Sequence, residues 1–376
     1  MRVLSAAAVL LIFSFPLYAQ TLKVRILNIY HPKTLEAVQL NGGEKVKVRY
    51  VKGNNIEVIN NKGRQLTAEY RLNGGKYGEY EIRVNGRRFI YKGSVFFFLP
   101  PDEKEAGIIV EMGLEDYVAA SLDGELEGAY SHPESDKALA VAIRTYAERN
   151  RKRHGYYDLC DLTHCQRLNG RPELNRGSSI KAANGTRGLI LAGKDNKPAD
   201  IYFSGCCGGE SESAGNVWRG ENNVKSVVRC GAASGNFCEK HIFHRWEKKI
   251  KASEIRSVIR ESLGERISGS IDFITGDVSP GGNVRLIKVK HTKGVTEMPA
   301  DKFISAYGKK YGWANIPSRK FAVEKRGSDF ILSGRGAGHG CGLCLAGAHA
   351  LAVKGWTCEG ILSFYYPDTK MIKTPE

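Results

Sequence analysis

The stretch from Leu114 to Gln166 constrains the fold most, because it sets a helix of small side chains beside a carboxylate turn and a Cys/His cluster. Its centre, KALAVAIRTYA at 137–147, is rich in alanine, so neighbouring elements can approach its backbone and the helix belongs inside a packed domain. Leu114, Tyr117, Val118 and Leu122 form the apolar face of a preceding helix that is expected to end at Gly124, with Glu125 just beyond. Ser131, followed by Glu134, is a capping-box pattern and predicts the start of a second helix that runs to Tyr146 or further. Lys137 and Arg144 lie nearly two turns apart on it, so both point the same way and can meet the Glu125 carboxylate. Carbonyls at the end of the first helix would raise the pKa of Glu125, whereas the two cations would lower it, and the sequence leaves that balance open.

Beyond the second helix, His154, Cys160, His164 and Cys165 supply two imidazoles and two thiolates, a donor set for tetrahedral zinc. Four protein ligands would close the coordination sphere, which predicts a structural ion. A Cys160–Cys165 disulfide is the alternative, and an oxidising compartment would favour it. Among the nine cysteines, Cys230 and Cys238 bracket a short loop and are the first expected disulfide pair. Cys341 and Cys344 have redox-motif spacing, but without a strand-to-helix context they read as a structural pair.

The N-terminus carries Arg2, an apolar run from Val3 to Phe15, then Pro16 and Leu17-Tyr18-Ala19, the three parts of a signal peptide over residues 1–19. The run is too short to span a membrane comfortably, so the mature chain is expected to be exported without a transmembrane anchor. Residues 20–107 alternate β-rich runs such as KVKVRYV and SVFFFLP with turns at Asn41-Gly42-Gly43 and Asn73-Gly74-Gly75, which predicts an antiparallel N-terminal region. Residues 108–376 mix strands with helices, including one over Ala252–Leu263 and a final one over Leu345–Ala352, so the expected class is α+β. A net charge of +16 is scattered along the chain and not gathered into a nucleic-acid module, so an anionic envelope polymer is the expected partner, not nucleic acid. No Gly-x-Ser-x-Gly elbow and no phosphate loop is present.

LEDYV, GEL and KALAVAIRTYA, then DLCDLTHCQ at Asp158–Gln166, YFSGCCGGESES at Tyr202–Ser213 and GRGAGHGCGLC at Gly334–Cys344 followed by ILSFYYPDT, occur in one order. Together they span roughly two-thirds of the chain, and the whole series resembles the stage II sporulation protein D (SpoIID/LytB) family. Leu345 stands where the family has a glutamine, and Ala337 where it often has a tryptophan. The resemblance implies a lytic transglycosylase acting on peptidoglycan glycan strands stripped of stem peptides, with Glu125 as general acid and base and Lys137 and Arg144 beside it. It also implies substrate contacts from Tyr202, Ser204, Cys207, Glu212, Arg335 and His339, and zinc in some members. Two other readings stand beside it: a wall-binding protein that enhances a cell-wall amidase, and a catalytic zinc in an amidase or peptidase. The last needs three ligands plus water, and the Cys/His cluster offers four.

Overall fold

The computed structural model describes residues 21–51, 55–100, 106–126, 129–170, 177–218, 229–232 and 235–374. The expected signal peptide lies outside them, as does Glu127, a second acid close to Glu125. The architecture is α+β. Ten strands form the main sheet: β1 (Thr21–Ile26), β2 (Thr34–Gln39), β3 (Lys45–Val51), β4 (Asn55–Asn60), β5 (Gly63–Thr67), β6 (Glu69–Arg71), β7 (Gly78–Val84), β8 (Arg87–Phe98), β9 (Gly107–Gly113) and β10 (Leu159–Cys160). The order is β10-β1-β9-β8-β7-β2-β3-β4-β5, with β6 paired to β8; β1 and β10 run parallel and the remaining pairs antiparallel. Alternation along β3, with Val46 and Val48 buried and Lys45, Lys47 and Arg49 exposed, is the period-2 pattern of a sheet with one wet face.

The boundary expected at 107 falls at the first residue of β9, a strand paired with β8 in this sheet. Buried residues of the strands, such as Leu22, Val84 and Val110, belong to the same apolar core as Tyr117, Ala140 and Leu351 of the helices. A single core therefore runs across that boundary. A second core gathers Trp246, Ile255, Phe273, Phe303 and Leu332. Around it pack two three-stranded sheets, the first of strands Trp246–Ile250, Phe321–Arg326 and Asp329–Gly334, the other of Ile271–Thr275, Leu286–His291 and Gly294–Pro299. The chain then returns to the first core through Leu343–Cys344 and the C-terminal helices.

Eight α-helices occur among the described residues: α1 (Leu114–Leu126), α2 (Pro133–Arg149), α3 (Gly177–Gly185), α4 (Ala214–Val217), α5 (Ala252–Leu263), α6 (Ala300–Tyr311), α7 (Leu345–Val353) and α8 (Cys358–Tyr365). None is long and apolar enough to cross a membrane. α1 passes Gly124 and includes Glu125 in its last turn, so the expected stop at Gly124 is corrected. α2 begins at Pro133 with His132 as N-cap, not Ser131. The fixed φ of proline suits the first helical position, which puts the cap immediately before it. Ser131 instead donates to Asp136 at 2.7 Å.

α2 is buried on every side from Ala138 to Ala147, as its alanines allow. Arg144 is one of those residues and is fully buried. Its guanidinium forks onto Glu115 of α1, with Nε donating to Oε1 at 2.9 Å, and donates to the carbonyls of Ala183 at 3.1 Å and Leu189 at 3.0 Å. A buried cation needs this full set of acceptors, because desolvation without them costs several kcal/mol. The residue thus ties α1, α2 and α3 together. Arg144→Met should lower the unfolding free energy by about 3–5 kcal/mol, measured by denaturant titration, because it leaves Glu115 without its cation. Adding Glu115→Gln to that variant should recover part of the loss.

Candidate functional site

Glu125 is half-buried, and its Oε1 accepts the backbone N–H of Arg167 at 2.7 Å. Arg167 belongs to a strap, Cys165–Gly170, laid along α1. Gln166 in it is buried and accepts from the Tyr117 hydroxyl at 2.7 Å, while the Asn169 N–H donates to the Ala120 carbonyl at 3.1 Å. Gly124 makes this approach possible: a Cβ there would lie 2.7 Å from the Arg167 carbonyl oxygen. Its role is close contact, not helix termination.

The strap starts at the Cys/His cluster. His154, Cys160, His164 and Cys165 bring their ligand atoms within 4.8 Å of one another. His154 Nε2 is 3.2 Å from Cys165 Sγ, and both ring nitrogens of His164 are 3.7 Å from Cys160 Sγ. Hydrogen bonding from Cys160, then from His164 and His154, holds the Cys165 thiol well below its usual range, so this sulfur is favoured as thiolate. Cys160 and Cys165 are both free thiols, so the alternative disulfide is not formed.

Lys137 and Arg144 have acid partners other than Glu125. Lys137 Nζ donates to Glu134 at 2.7 Å, and the second oxygen of Glu134 accepts the N–H of Cys358 at 2.7 Å. Arg144, enclosed by Glu115 and backbone carbonyls, has no surface to offer a substrate. Seven residues along a helix do align, but at Arg144 this face of α2 packs against α1 and α3, whereas Lys137 at its start is part-exposed.

Of the glycine-rich blocks, Tyr202 and His339 come together. Their rings meet edge-on at 6.2 Å, and Trp218 packs against both, 5.0 Å from Tyr202 and 4.9 Å from His339. The guanidinium of Arg319 lies over Trp218 at 5.8 Å. Tyr146 of α2 meets Tyr202 at 6.4 Å and donates its hydroxyl to the His164 carbonyl, so the aromatic group reaches back to the Cys/His cluster. Trp218 and Arg319 were not singled out in the sequence, where neither stands in a motif.

The other residues of those blocks are structural in their contacts. Ser204 is buried, and its hydroxyl has no hydrogen-bond partner among the described residues. Glu212 is buried and accepts from Ser279 at 2.7 Å and Asn216 at 2.8 Å, which ties the loop before α4 to the second core's hairpin at 277–284. Cys207 is buried among other cysteines. Arg335 is exposed, with Nη2 donating to the Gly281 carbonyl at 3.4 Å. The expected Cys230–Cys238 disulfide is not formed, and Cys344 turns with Cys230 and Cys238 toward Cys207.

Burial, together with the positive charge of Arg319, pushes the imidazole of His339 down to about 4 from its ordinary 6.5. The folded state then binds fewer protons than the unfolded chain between those two values, so this group adds stability above about pH 6.5 that is lost as the pH falls toward about 4. Denaturant unfolding of wild type and His339→Phe across that window should show the variant losing less stability on acidification. The His339 ring resonances in an NMR titration should have a midpoint near 4.

Two family models match: one described as stage II sporulation protein, over residues 102–192, and Domain of unknown function (DUF8618), over residues 215–342. The first takes in α1, α2, Glu125 and the Cys/His cluster; the second covers the second core. An uncharacterized protein of Brachyspira hyodysenteriae is 29% identical over 280 residues, which is 73% of this chain and 70% of that protein. Stage II sporulation protein D of Bacillus subtilis is 26% identical over 278 residues, 69% of this chain and 74% of that protein. Over residues 102–192, the part that holds α1, α2 and the Cys/His cluster, the chain is similar to stage II sporulation proteins.

Proposed function

We propose that the protein is an exported lytic transglycosylase that cleaves the MurNAc–GlcNAc linkage of peptidoglycan glycan strands, with strands stripped of stem peptides as the expected substrate. Glu125, protonated, gives its proton to the glycosidic oxygen as the bond to C1 breaks. The resulting carboxylate takes a proton from the sugar's own 6-hydroxyl as that oxygen bonds to C1, which leaves a 1,6-anhydro end. The observation that carries this reading is the backbone N–H of Arg167 on Glu125 Oε1, which fixes a half-buried carboxyl group in orientation.

Among the described residues, the acids of α1 and α2 named next have scaffold partners, which supports a mechanism with one carboxylate. Glu115 is held by Arg144, Glu134 by Lys137 and the Cys358 N–H, and Asp123 by the Ser179 hydroxyl. Paired-carboxylate hydrolysis would need a second acid at a set separation across the sugar. Arg144 is a positioning residue in this account, acting through Glu115 on α1. Lys137, part-exposed, can exchange Glu134 for the lactyl carboxylate of MurNAc. Tyr202, Trp218 and His339 offer ring faces to the apolar face of a sugar.

His154, Cys160, His164 and Cys165 would hold a structural zinc ion. Tetrahedral bonds of about 2.3 Å to sulfur and about 2.0 Å to nitrogen give sulfur–nitrogen edges of about 3.5 Å, and the observed separations of 3.2 and 3.7 Å bracket that value. The ion would supply a cross-link that anchors the start of the strap.

Glu125→Gln should reduce release of anhydro-muropeptide ends from denuded glycan by about 10²-fold or more, read by mass spectrometry, with glycan binding retained. Unchanged release would contradict the assignment. Wild-type protein that releases no product and stimulates a cell-wall amidase would support the binding-protein reading instead.

A further inference from the structure

The second cysteine cluster is unused by the proposed chemistry. The sulfurs of Cys207, Cys230, Cys238 and Cys344, all buried, lie within 4.8 Å of one another. They come from four places: the Gly/Cys turn after Phe203–Ser204, both ends of the hairpin at 230–238, and the start of α7. We propose that these four residues bind one zinc ion as a closed tetrathiolate, a second metal site distinct from the Cys/His cluster.

A tetrahedral ion with bonds of about 2.3 Å to sulfur sets sulfur–sulfur edges of about 3.8 Å. Cys207 and Cys238 are 3.8 Å apart, too far for a disulfide and matched to such an edge. A polynuclear iron–sulfur cluster binds its cysteines on separate irons and would spread the four sulfurs wider than one ion does. Four thiolates close the coordination sphere, so the ion is structural.

The surroundings suit a concentration of negative charge. Cys344 is the N-cap of α7, and its sulfur accepts the N–H groups of Gly347 at 3.4 Å and Cys207 at 3.3 Å. The Tyr365 hydroxyl is 3.1 Å from Cys230 Sγ, and His244 Nδ1 is 3.4 Å from Cys238 Sγ. Such outer donors orient metal-bound thiolates and tune them. Lys320 brings a buried ammonium beside this group, donating to the carbonyls of Glu210 at 2.7 Å and Cys207 at 3.5 Å. Gly347 gives Cys230 its room: a Cβ there would lie 2.5 Å from Cys230 Sγ.

Three of the ligands precede the second core in sequence and Cys344 follows it, so the ion would clasp the two chain segments that lead into and out of that core. The parallel pairing of Phe203–Ser204 with Leu343–Cys344 sits at the same junction. The clasp would hold the loop of Tyr202 against the loop of His339.

Zinc per chain, by elemental mass spectrometry on the full exported chain, tests the proposal. Cys238→Ser should lose one zinc relative to wild type, whether or not Cys165→Ser loses another. X-ray absorption on Cys165→Ser should show zinc with sulfur neighbours alone. Should Cys238→Ser fail to fold, wild-type protein carrying two ions must average three sulfurs and one nitrogen per zinc, since the two sets share six sulfurs and two nitrogens. Zinc content unchanged by Cys238→Ser, iron at the site in place of zinc, or a disulfide among these four cysteines in peptide mapping of the wild type would overturn it.

Discussion

The crossing of the strap over Gly124 is the contact on which the candidate site depends. It brings a main-chain N–H to Glu125, and it exists because position 124 has no side chain to block the Arg167 carbonyl. Each end of the strap is anchored differently. Its start is the Cys/His cluster, and its later residues are hydrogen-bonded to α1 through Gln166 and Asn169. Order at the cluster is therefore transmitted to the acid over a distance of two residues, from Cys165 to Arg167.

The cations of α2 divide the work. Arg144 sits in the interior, where its value is geometric: one planar group satisfies acceptors on α1, on α3 and on the strand after it. Lys137 lies nearer the surface, and its partner Glu134 also accepts the first N–H of α8, so the C-terminal helices are joined to α2 by the same acid. Both cations of α2 discussed here are thus closed in ion pairs with acids other than Glu125.

Much of this was legible in the sequence where a local rule governs. The apolar spacing of Ile255, Val258 and Ile259 and the left-handed Gly264 bound α5 at Ala252–Leu263, as expected. The glycine-rich loop before Leu345 likewise marked the start of α7. Errors arose where one residue could serve two ends. Gly124 reads as a helix stop, yet it is a contact point within the last turn of α1; Ser131 reads as a cap, yet Pro133 moves the cap to His132. The helix expected to be last is followed by α8, whose apolar ILSFYY run hides its period. Contacts between distant segments were out of reach: the Arg144–Glu115 pair, the Tyr202–Trp218–His339 group and the meeting of Cys207 with Cys344 all join residues whose spacing in the chain says nothing of their distance in space.

The central claim is that a single acid, aided by the sugar's own hydroxyl, breaks the glycan without water. Digestion of denuded glycan by the wild-type protein in water enriched in oxygen-18 tests it most directly. Intramolecular attack predicts new anhydro ends that carry no heavy oxygen, because no water enters the product. Heavy oxygen at the newly formed MurNAc C1 would mean hydrolysis and would contradict the account.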